Sequence, residues 1–184
     1  MLADSSKFKE WVDPYNVELI YRNETFWGSR FGGYSVRMSP SIYVPSYKTI
    51  KDYSYLSYFK DDLSKFTTKF DIPDGGYFMV HSGQRVIIET METFKLPLEG
   101  VALVTHSVPK LALLGLNVSS TVFFSDDFTT RVGNTRIGKL LLSVKNDSER
   151  NIQLLGGMPI AIVLFQQYEK AKIPHGFYDY DYTR

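Results

Sequence analysis

Short apolar segments follow one another closely from residue 77 to residue 168, and this succession constrains the fold more than any other feature of the sequence. Breaks that contain Gly, Pro or Asn separate them at roughly the 8–12-residue spacing typical of a β-sandwich or barrel. The segments read YFMVHSG, QRVIIETMETF, GVALVTHS, LNVSSTVFF, KLLLSVKN, NIQLLGG and PIAIVLFQQY. Only PKLALLGL in this half is typical of a helix, and it is short. The pattern therefore predicts an all-β domain.

The composition agrees with one β-rich domain. The chain has 184 residues, of which 43% are hydrophobic and 22% charged, so it is long enough to bury a core. Its aromatic share is high at 15%. Because aromatic side chains bury a large area at little entropic cost, they favour strands and protein interfaces.

The first half of the chain gives weaker signals. VELIY, at 17–21, predicts a first strand, whereas Pro40 and Pro45 predict strands that are short or at a sheet edge, since proline cannot donate to a ladder. In 51–70, Tyr and Phe recur among Lys and Asp, which predicts an inserted arm that packs either on its own domain or on a partner. We expect one domain with a core of about 17–50 and 71–168, followed by a C-terminal arm at 169–184.

Charge and cysteine content narrow the function classes. A net charge of +1 without a basic stripe makes nucleic acid an unexpected partner. With no Cys, the chain has no disulfide, thiolate metal site or cysteine nucleophile. No apolar run approaches the roughly 18 residues of a membrane helix, and no signal peptide opens the chain. We therefore expect cytoplasmic synthesis without membrane insertion or secretion, which leaves a place in a virion open.

Titratable residues offer few candidates for chemistry. The three His residues at 81, 106 and 175 lack metal-ligand spacing. Glu89, Glu92 and Glu99 lie near predicted strand ends, where solvated carboxylates are common. The adjacent pair Asp126 and Asp127 is the best candidate for catalysis or Mg²⁺ binding, and the alternative is a solvated loop tip.

Several short motifs from residue 31 to residue 167 occur in a known order. GGYSVRM resembles the motif A-G-Y-D-L-R, and HSGQRVIIETMETFKLP resembles P-G-E, a strand, T-x-E and L-P. VPKLALLGL resembles R-S-S-L-A-R-x-G-L, and GGMPIAIVLF resembles P-G-x-x-I-A/G-Q-x-x-F. In this order the chain resembles the trimeric dUTPase / dCTP deaminase family. The resemblance implies a jelly-roll or distorted β-barrel, here with an inserted aromatic-rich segment, and a homotrimer.

The residues that carry chemistry in that family are mostly replaced. Ser35 stands in place of the first motif's Asp, and Val108-Pro109-Lys110 in place of the Arg-Ser-Ser that grips the triphosphate. Ile162 replaces the polar Gln of the last motif, and the glycine-rich C-terminal arm is missing. Ser143 stands where deaminases have their general base Glu, and a hydroxyl with ordinary proton affinity cannot replace a carboxylate in that role.

The third motif, I-D-x-x-F/Y-x-G, has two possible positions. Counting forward from Gly115 puts it on SDDF at 125–128, whereas counting back from Asn146 puts it on Val132-Gly133. The two counts agree only if about seven residues are inserted between Phe128 and Gly138. The insertion would disturb the loop that carries the family's water- or sugar-orienting Asp.

The pattern of retained strands and lost polar groups favours a non-catalytic protein. In this interpretation the fold serves as a structural or protein-binding module, with a viral component such as a virion or phage part as a plausible setting. No catalytic residue and no cofactor are then expected. A homotrimer would meet other protein subunits through 51–70 and the C-terminal tail.

In two alternative interpretations the protein still binds a nucleotide. One is an active enzyme, a dUTP diphosphatase rather than a dCTP deaminase, that uses Mg²⁺. Asp126 would orient water and, with Asp127, hold the metal; Lys110 or Arg136 would hold phosphates, and Ser143 would line the pocket. The other alternative is a sensor that binds a nucleotide without turning it over.

Overall fold

The computed structural model describes residues 12–13, 28–30, 33–46, 66–98, 101–124, 127–128 and 130–167. Within these ranges nearly all regular structure is β-strand, which confirms the all-β prediction. The one helix there, α1 (Pro109–Leu113), coincides with the segment that the sequence singled out as helical. No helix in the described part of the chain is long and apolar enough to cross a membrane.

The strands are numbered in chain order. They are β1 (Val12–Asp13), β2 (Gly28–Arg30), β3 (Gly33–Pro45), β4 (Thr67–Asp71), β5 (Phe78–Val80), β6 (Arg85–Thr90), β7 (Thr93–Pro97), β8 (Val101–Ser107), β9 (Leu116–Val118), β10 (Val122–Phe124), β11 (Thr130–Val132), β12 (Thr135–Gly138), β13 (Leu141–Asn146), β14 (Ile152–Leu154) and β15 (Pro159–Gln167).

Two antiparallel sheets make up most of the domain. The larger sheet has nine strands in the order β10-β8-β15-β3-β6-β13-β9, with β2 and β4 also paired to β3. The smaller sheet has the order β1-β7-β12-β11, and β14 pairs with β5 separately. Burial alternates along β6 and β13, as expected for strands with one face on a core.

Strand β3 is longer and more central than its prolines suggested. Its first half pairs with β2 and β15, and its second half pairs with β4 and β6. The register shifts between Met38 and Ile42, so Pro40 lies in the irregular stretch where the strand changes partners. A bulge tolerates proline because the ladder is already interrupted there. The prediction of short or edge strands around Pro40 and Pro45 was therefore wrong.

The predicted arm at 51–70 needs a corrected boundary. Residues 67–70 belong to β4, which pairs with the second half of β3, so they are part of the larger sheet. The rest of the arm, 51–65, lies outside the described residues, as do the VELIY segment at 17–21 and the C-terminal arm at 169–184.

The sequence did not predict the hairpin of β11 and β12. Its turn contains Gly133 with a φ of +58°, in the left-handed region that glycine favours. Strand β12 pairs with β7 and thereby joins the smaller sheet. The hairpin occupies the interval between Phe128 and Gly138, where the motif spacing required an insertion.

The core lies between the two sheets. Phe94 on β7 and Phe165 on β15 are fully buried, and their ring centroids are 6.3 Å apart. Aliphatic side chains from both sheets surround these rings. Because the two rings come from different sheets, their contact joins the sheets.

Candidate functional site

Strand register brings two motif positions and a histidine into one row. Ser35 on β3 lies opposite Ile162 on β15, and Ile162 lies opposite His106 on β8. Directly opposed residues of antiparallel strands project to the same face of a sheet. Ser35 is buried, Ile162 is half-buried and His106 is exposed. The row thus collects the first-motif and last-motif positions, and a serine and an isoleucine occupy them.

The neighbouring row on the same face is apolar. Leu164 on β15 lies opposite Val104 on β8, and Val104 lies opposite Val122 on β10. Leu164 and Val104 are half-buried, and Val122 is exposed. The row of Leu164, Val104 and Val122 carries no side-chain donor for a phosphate, which needs several, and the polar side chains beside Ile162 are those of Ser35 and His106.

The second motif folds as α1 and presents apolar side chains to solvent. Pro109 is at the first helical position, and Val108 at the N-cap makes no side-chain capping bond. Lys110 is exposed, as predicted for a solvated lysine or a phosphate contact. Leu113 and Leu114 at the end of the helix are 88% and 64% exposed. Val108 stands where the motif has Arg, and Lys110, two positions later, is a point charge that does not provide an arginine's bidentate fork.

Ser143 lies in the middle of β13. It is opposite Ile87 on β6, and its carbonyl accepts a hydrogen bond of 2.9 Å from the backbone N–H of Ser119. The hydroxyl oxygen of Ser143 is buried, and it makes no hydrogen bond within the described residues. Its strand neighbour Leu141 is exposed, and the next outward residue, Lys145, is paired with Asp147. The position of the expected general base thus carries a buried hydroxyl beside an isoleucine.

The Asp126–Asp127 pair is described in part, because Asp126 lies outside the described residues. Asp127 is exposed, and its Oδ2 accepts a hydrogen bond of 2.7 Å from the backbone N–H of Phe124. No group of three His, Cys, Asp or Glu side chains suited to a metal occurs among the residues that the structure describes.

Arg136 lies on β12, opposite Leu96 of β7 and Arg131 of β11. Its Nη1 donates a hydrogen bond of 3.1 Å to the carbonyl of Phe128. Arg136 and Asp127 thus belong to the surroundings of the hairpin, whereas the helix of Lys110 and the strand of Ser143 both contact β9.

Phe128 and Gly138 lie together although ten positions separate them in the sequence. Phe128 is buried, and a Cβ added at Gly138 would overlap its ring. Phe128 ends the SDDF segment, one position before the aromatic residue of a third motif that starts at Ser125, and Gly138 is the candidate for its final glycine. The contact supports the forward count, with the β11–β12 hairpin inserted inside the motif.

The most polar buried contact was missed from the sequence. Glu92, predicted to be a solvated carboxylate at a strand end, is fully buried and paired with Arg37, so that prediction was wrong. Arg37 donates from Nε to Glu92 Oε1 at 2.8 Å and from its backbone N–H to Oε2 at 2.9 Å. Arg37 is part of the motif GGYSVRM, and Glu92 is the Glu of the motif T-x-E. Their presence in two motifs was the only sequence signal that could have indicated this ion pair.

Burial controls the titration of this cluster. It raises the pKa of the Glu92 carboxyl, and the hydrogen bonds from Arg37 act in the opposite direction. Burial and then the charge of Glu92 raise the pKa of Tyr34 to about 12. By contrast, Glu89 is partly exposed and paired with Lys139 at 3.3 Å, and Glu99 lies outside the described residues. The Arg37–Glu92 pair ties β3 to the corner between β6 and β7, which is a structural role.

Comparison with known families identifies the group to which the chain belongs. Residues 23–168 match the family model described as dCTP deaminase-like, so the chain is a member of the dCTP deaminase-like family. It is 27% identical over 164 residues to a dUMP-forming dCTP deaminase of Methanospirillum hungatei, covering 89% of this chain and 76% of that one. A dUMP-forming dCTP deaminase of Corynebacterium glutamicum is 30% identical over 166 residues, covering 90% and 77%.

Solved structures agree with this fold. A 2′-deoxycytidine 5′-triphosphate deaminase from Agrobacterium tumefaciens superimposes with a TM-score of 0.60 at 12% identity, over 89% of this chain. The match spans only 46% of that protein, about half its length. A dUTPase from phage phi11 of Staphylococcus aureus has a TM-score of 0.51 at 11% identity, covering 90% of this chain and 94% of that one. The dUTPase-like architecture predicted from the motifs is therefore confirmed.

Proposed function

We propose that this chain is a non-catalytic member of its family that serves as a structural or protein-binding module. The observation that carries the proposal is Ser143, a buried hydroxyl without a hydrogen bond within the described residues, at the position of the deaminases' general base. Deamination needs a group there that accepts and returns a proton near neutral pH, and an ordinary hydroxyl does not do so.

The surface around Ile162 supports the same proposal. Hydrolysis of a triphosphate depends on several positioned donors and a metal around the phosphates. Ile162 stands where the last motif has Gln, and the neighbouring row of Leu164, Val104 and Val122 is apolar. Such a face suits contact with protein better than contact with a charged ligand.

The similarity to dUMP-forming deaminases favours a second candidate, an active deoxynucleotide triphosphate enzyme. In that candidate, Lys110 or Arg136 holds phosphates, Ser143 lines the pocket, and Asp126 orients water. Arg136 donates to the carbonyl of Phe128, next to Asp127 in the sequence, whereas the helix of Lys110 contacts β9. A binding-only sensor would use the same surface without turnover.

One experiment separates the three candidates. The purified protein is incubated with dCTP or dUTP and Mg²⁺, while dUMP, pyrophosphate and ammonia are measured, and its melting temperature is recorded with each nucleotide. We expect neither turnover nor protection. Turnover that is lost on removal of Mg²⁺ or in Asp126→Asn would establish the enzyme, and protection without turnover would establish the sensor.

The proposed module is a homotrimer formed by one domain that includes 71–168. Threefold closed symmetry would give it three equivalent docking faces. Light scattering of the purified protein should return three times the 21.1 kDa chain mass. The proposal extends to a virion or phage component that binds other subunits through 51–65 and 169–184. Mass spectrometry of purified particles tests that setting.

A further inference from the structure

Strand β11 lies at the outer edge of the smaller sheet in the described part of the chain, with β12 beside it. It belongs to the hairpin inserted in the third motif, and all of its residues are exposed. A two-residue loop of Gly133 and Asn134 connects the strands, and Val132 lies opposite Thr135 next to that loop. Because this connection is tight and regular, the strand register determines which peptide groups of β11 face β12 and which face outward.

Arg131 is the residue of β11 whose peptide groups point outward. The carbonyl of Asn134, before β12, accepts a hydrogen bond of 3.2 Å from the backbone N–H of Leu98, so Asn134 faces the side of β7. Because peptide groups alternate along an antiparallel strand, Arg136 faces β7 as well. Arg131 lies opposite Arg136, and its N–H and C=O are therefore directed away from β12. An edge of this kind can accept another strand.

Arg131 also gives this edge a positive charge. Its Nε donates a hydrogen bond of 3.2 Å to the carbonyl of Gly133, and its exposed side chain forms no ion pair with a described residue. The cross-strand neighbour Arg136 carries the same charge, and like charges directly opposite each other are unfavourable in a sheet. The nearby carboxylate of Asp127 accepts instead from the backbone N–H of Phe124. A carboxylate placed beyond β11, opposite Arg131, would offset this repulsion.

The other face of the hairpin suits β-branched side chains. Its four residues nearest the edge are themselves β-branched and are Thr130, Val132, Thr135 and Ile137. Val132 is 56% exposed and Thr130 is also exposed, so this face is open at the edge. β-branched residues pack well side by side on a pleated surface. A strand that fits both faces thus has an acidic residue between two β-branched residues.

We propose that this edge binds an extended segment of a partner protein as an antiparallel strand, with a carboxylate opposite Arg131 and β-branched residues on either side of it. One residue of the added strand would bond both the N–H and the C=O of Arg131. A second copy of the chain does not fit the same edge, because two-fold pairing centred on Arg131 would place two arginines opposite each other. Such a contact rests on the proposed protein-binding role and gives that role a surface on the hairpin.

The absence of Cys from the sequence allows a direct test by disulfide trapping with the full chain. Val132→Cys is incubated under thiol exchange with the peptide Thr-Cys-Glu-Val-Thr or, as a matched control, with Thr-Cys-Lys-Val-Thr. In an antiparallel strand the peptide Cys lies opposite position 132 when the central residue lies opposite Arg131, within disulfide distance. We expect the Glu peptide to give about five times the adduct of the Lys peptide, because only the Glu peptide forms an opposite-charge pair.

Two further variants provide the controls. Leu113→Cys places a thiol on α1 at a residue that is 88% exposed, and each yield is divided by the yield with this variant to correct for peptide reactivity. Arg131→Glu combined with Val132→Cys should reverse the preference and favour the Lys peptide. Circular dichroism establishes that the variants are folded. Equal corrected yields for the two peptides, or a preference that Arg131→Glu leaves unchanged, would overturn the proposal.

A guard against edge-to-edge association is the competing role for Arg131. In that case Arg131→Thr would form larger species than the wild type in size-exclusion chromatography, without any peptide preference in the wild-type background, which would also overturn the proposal. The turnover assay separates this contact from the proposed function. Neither turnover nor peptide preference would overturn the contact alone, whereas turnover together with peptide preference would overturn the non-catalytic role and support the contact.

Discussion

Replacing Arg37 by Met is expected to lower the free energy of unfolding by about 3–5 kcal/mol at neutral pH, because it leaves the buried Glu92 carboxylate without its cation. The pair is 3% and 0% exposed, so water cannot substitute for the lost partner. Denaturant unfolding of the purified variant measures the loss. The double variant Arg37→Met/Glu92→Leu should recover most of it, since it removes both charges.

The loss of unfolding free energy in Arg37→Met should increase with pH. Burial raises the pKa of Glu92 above its unfolded value of about 4.3, and loss of Arg37 raises it further. Because the pKa of Glu92 is higher in the folded than in the unfolded state, protonation of Glu92 favours folding. This contribution to the free energy of unfolding is complete below the unfolded pKa and disappears as pH rises through the folded pKa. The Arg37→Met defect should therefore be smallest near pH 4 and largest at neutral pH. A defect of equal size at both would contradict a buried ionised pair.

The exposed pair Lys69–Asp71, at 3.0 Å, provides the matched control for this prediction. Lys69→Met also removes the cation of an ion pair with a carboxylate. In this pair, however, both side chains are exposed to water. Solvent screening makes such pairs nearly neutral for stability. A large loss in Lys69→Met would mean that burial is not what makes Arg37 important.

Replacing Gly138 by Ala should cost about 1–3 kcal/mol of unfolding free energy, because the new methyl group meets the buried Phe128 ring. Phe128 cannot easily move aside, since it is buried and belongs to the hydrophobic core. The double variant Gly138→Ala/Phe128→Leu should lose less than the sum of its two single variants, because the smaller side chain leaves room for the methyl group.

Gly156→Ala serves as the comparison for Gly138→Ala. A Cβ at Gly156 would lie 3.2 Å from the Cβ of Pro40, a tight contact without overlap. Its loss should therefore be the smaller of the two when both are measured by the same thermal or denaturant unfolding. The reverse order would remove the support for a third motif interrupted between Phe128 and Gly138.

Strand positions could be predicted because their signal is local. Alternating apolar residues and Gly, Pro or Asn breaks identified the segments that became β6, β8, β13 and β15. The prolines of β3 led to a wrong prediction, because the change of pairing strands along β3 depends on tertiary structure. The bulge at that change removes the cost of proline's missing N–H. The β11–β12 hairpin was missed because its strands carry Thr and Arg and are exposed or half-buried, without a continuous apolar face.

The candidate site, too, could be predicted from the sequence only in part. The replacements at Ser35, Ser143 and Ile162 can be identified from the motifs, whereas the row that joins Ser35, Ile162 and His106 needs the strand register. Glu92 was misjudged because a carboxylate near a strand end is usually solvated, and its partner Arg37 is 55 positions away in the sequence. Sequence spacing carries no direct record of such a long-range ion pair.

The most direct test of the central claim is turnover of dCTP and dUTP by the purified wild-type protein with Mg²⁺, compared with Asp126→Asn and Ser143→Glu. The account predicts no dUMP, pyrophosphate or ammonia above background for the wild type, and no change in its melting temperature with either nucleotide. A wild-type protein that forms dUMP, and loses this activity in Asp126→Asn, would contradict the account and establish an enzyme with a rebuilt site.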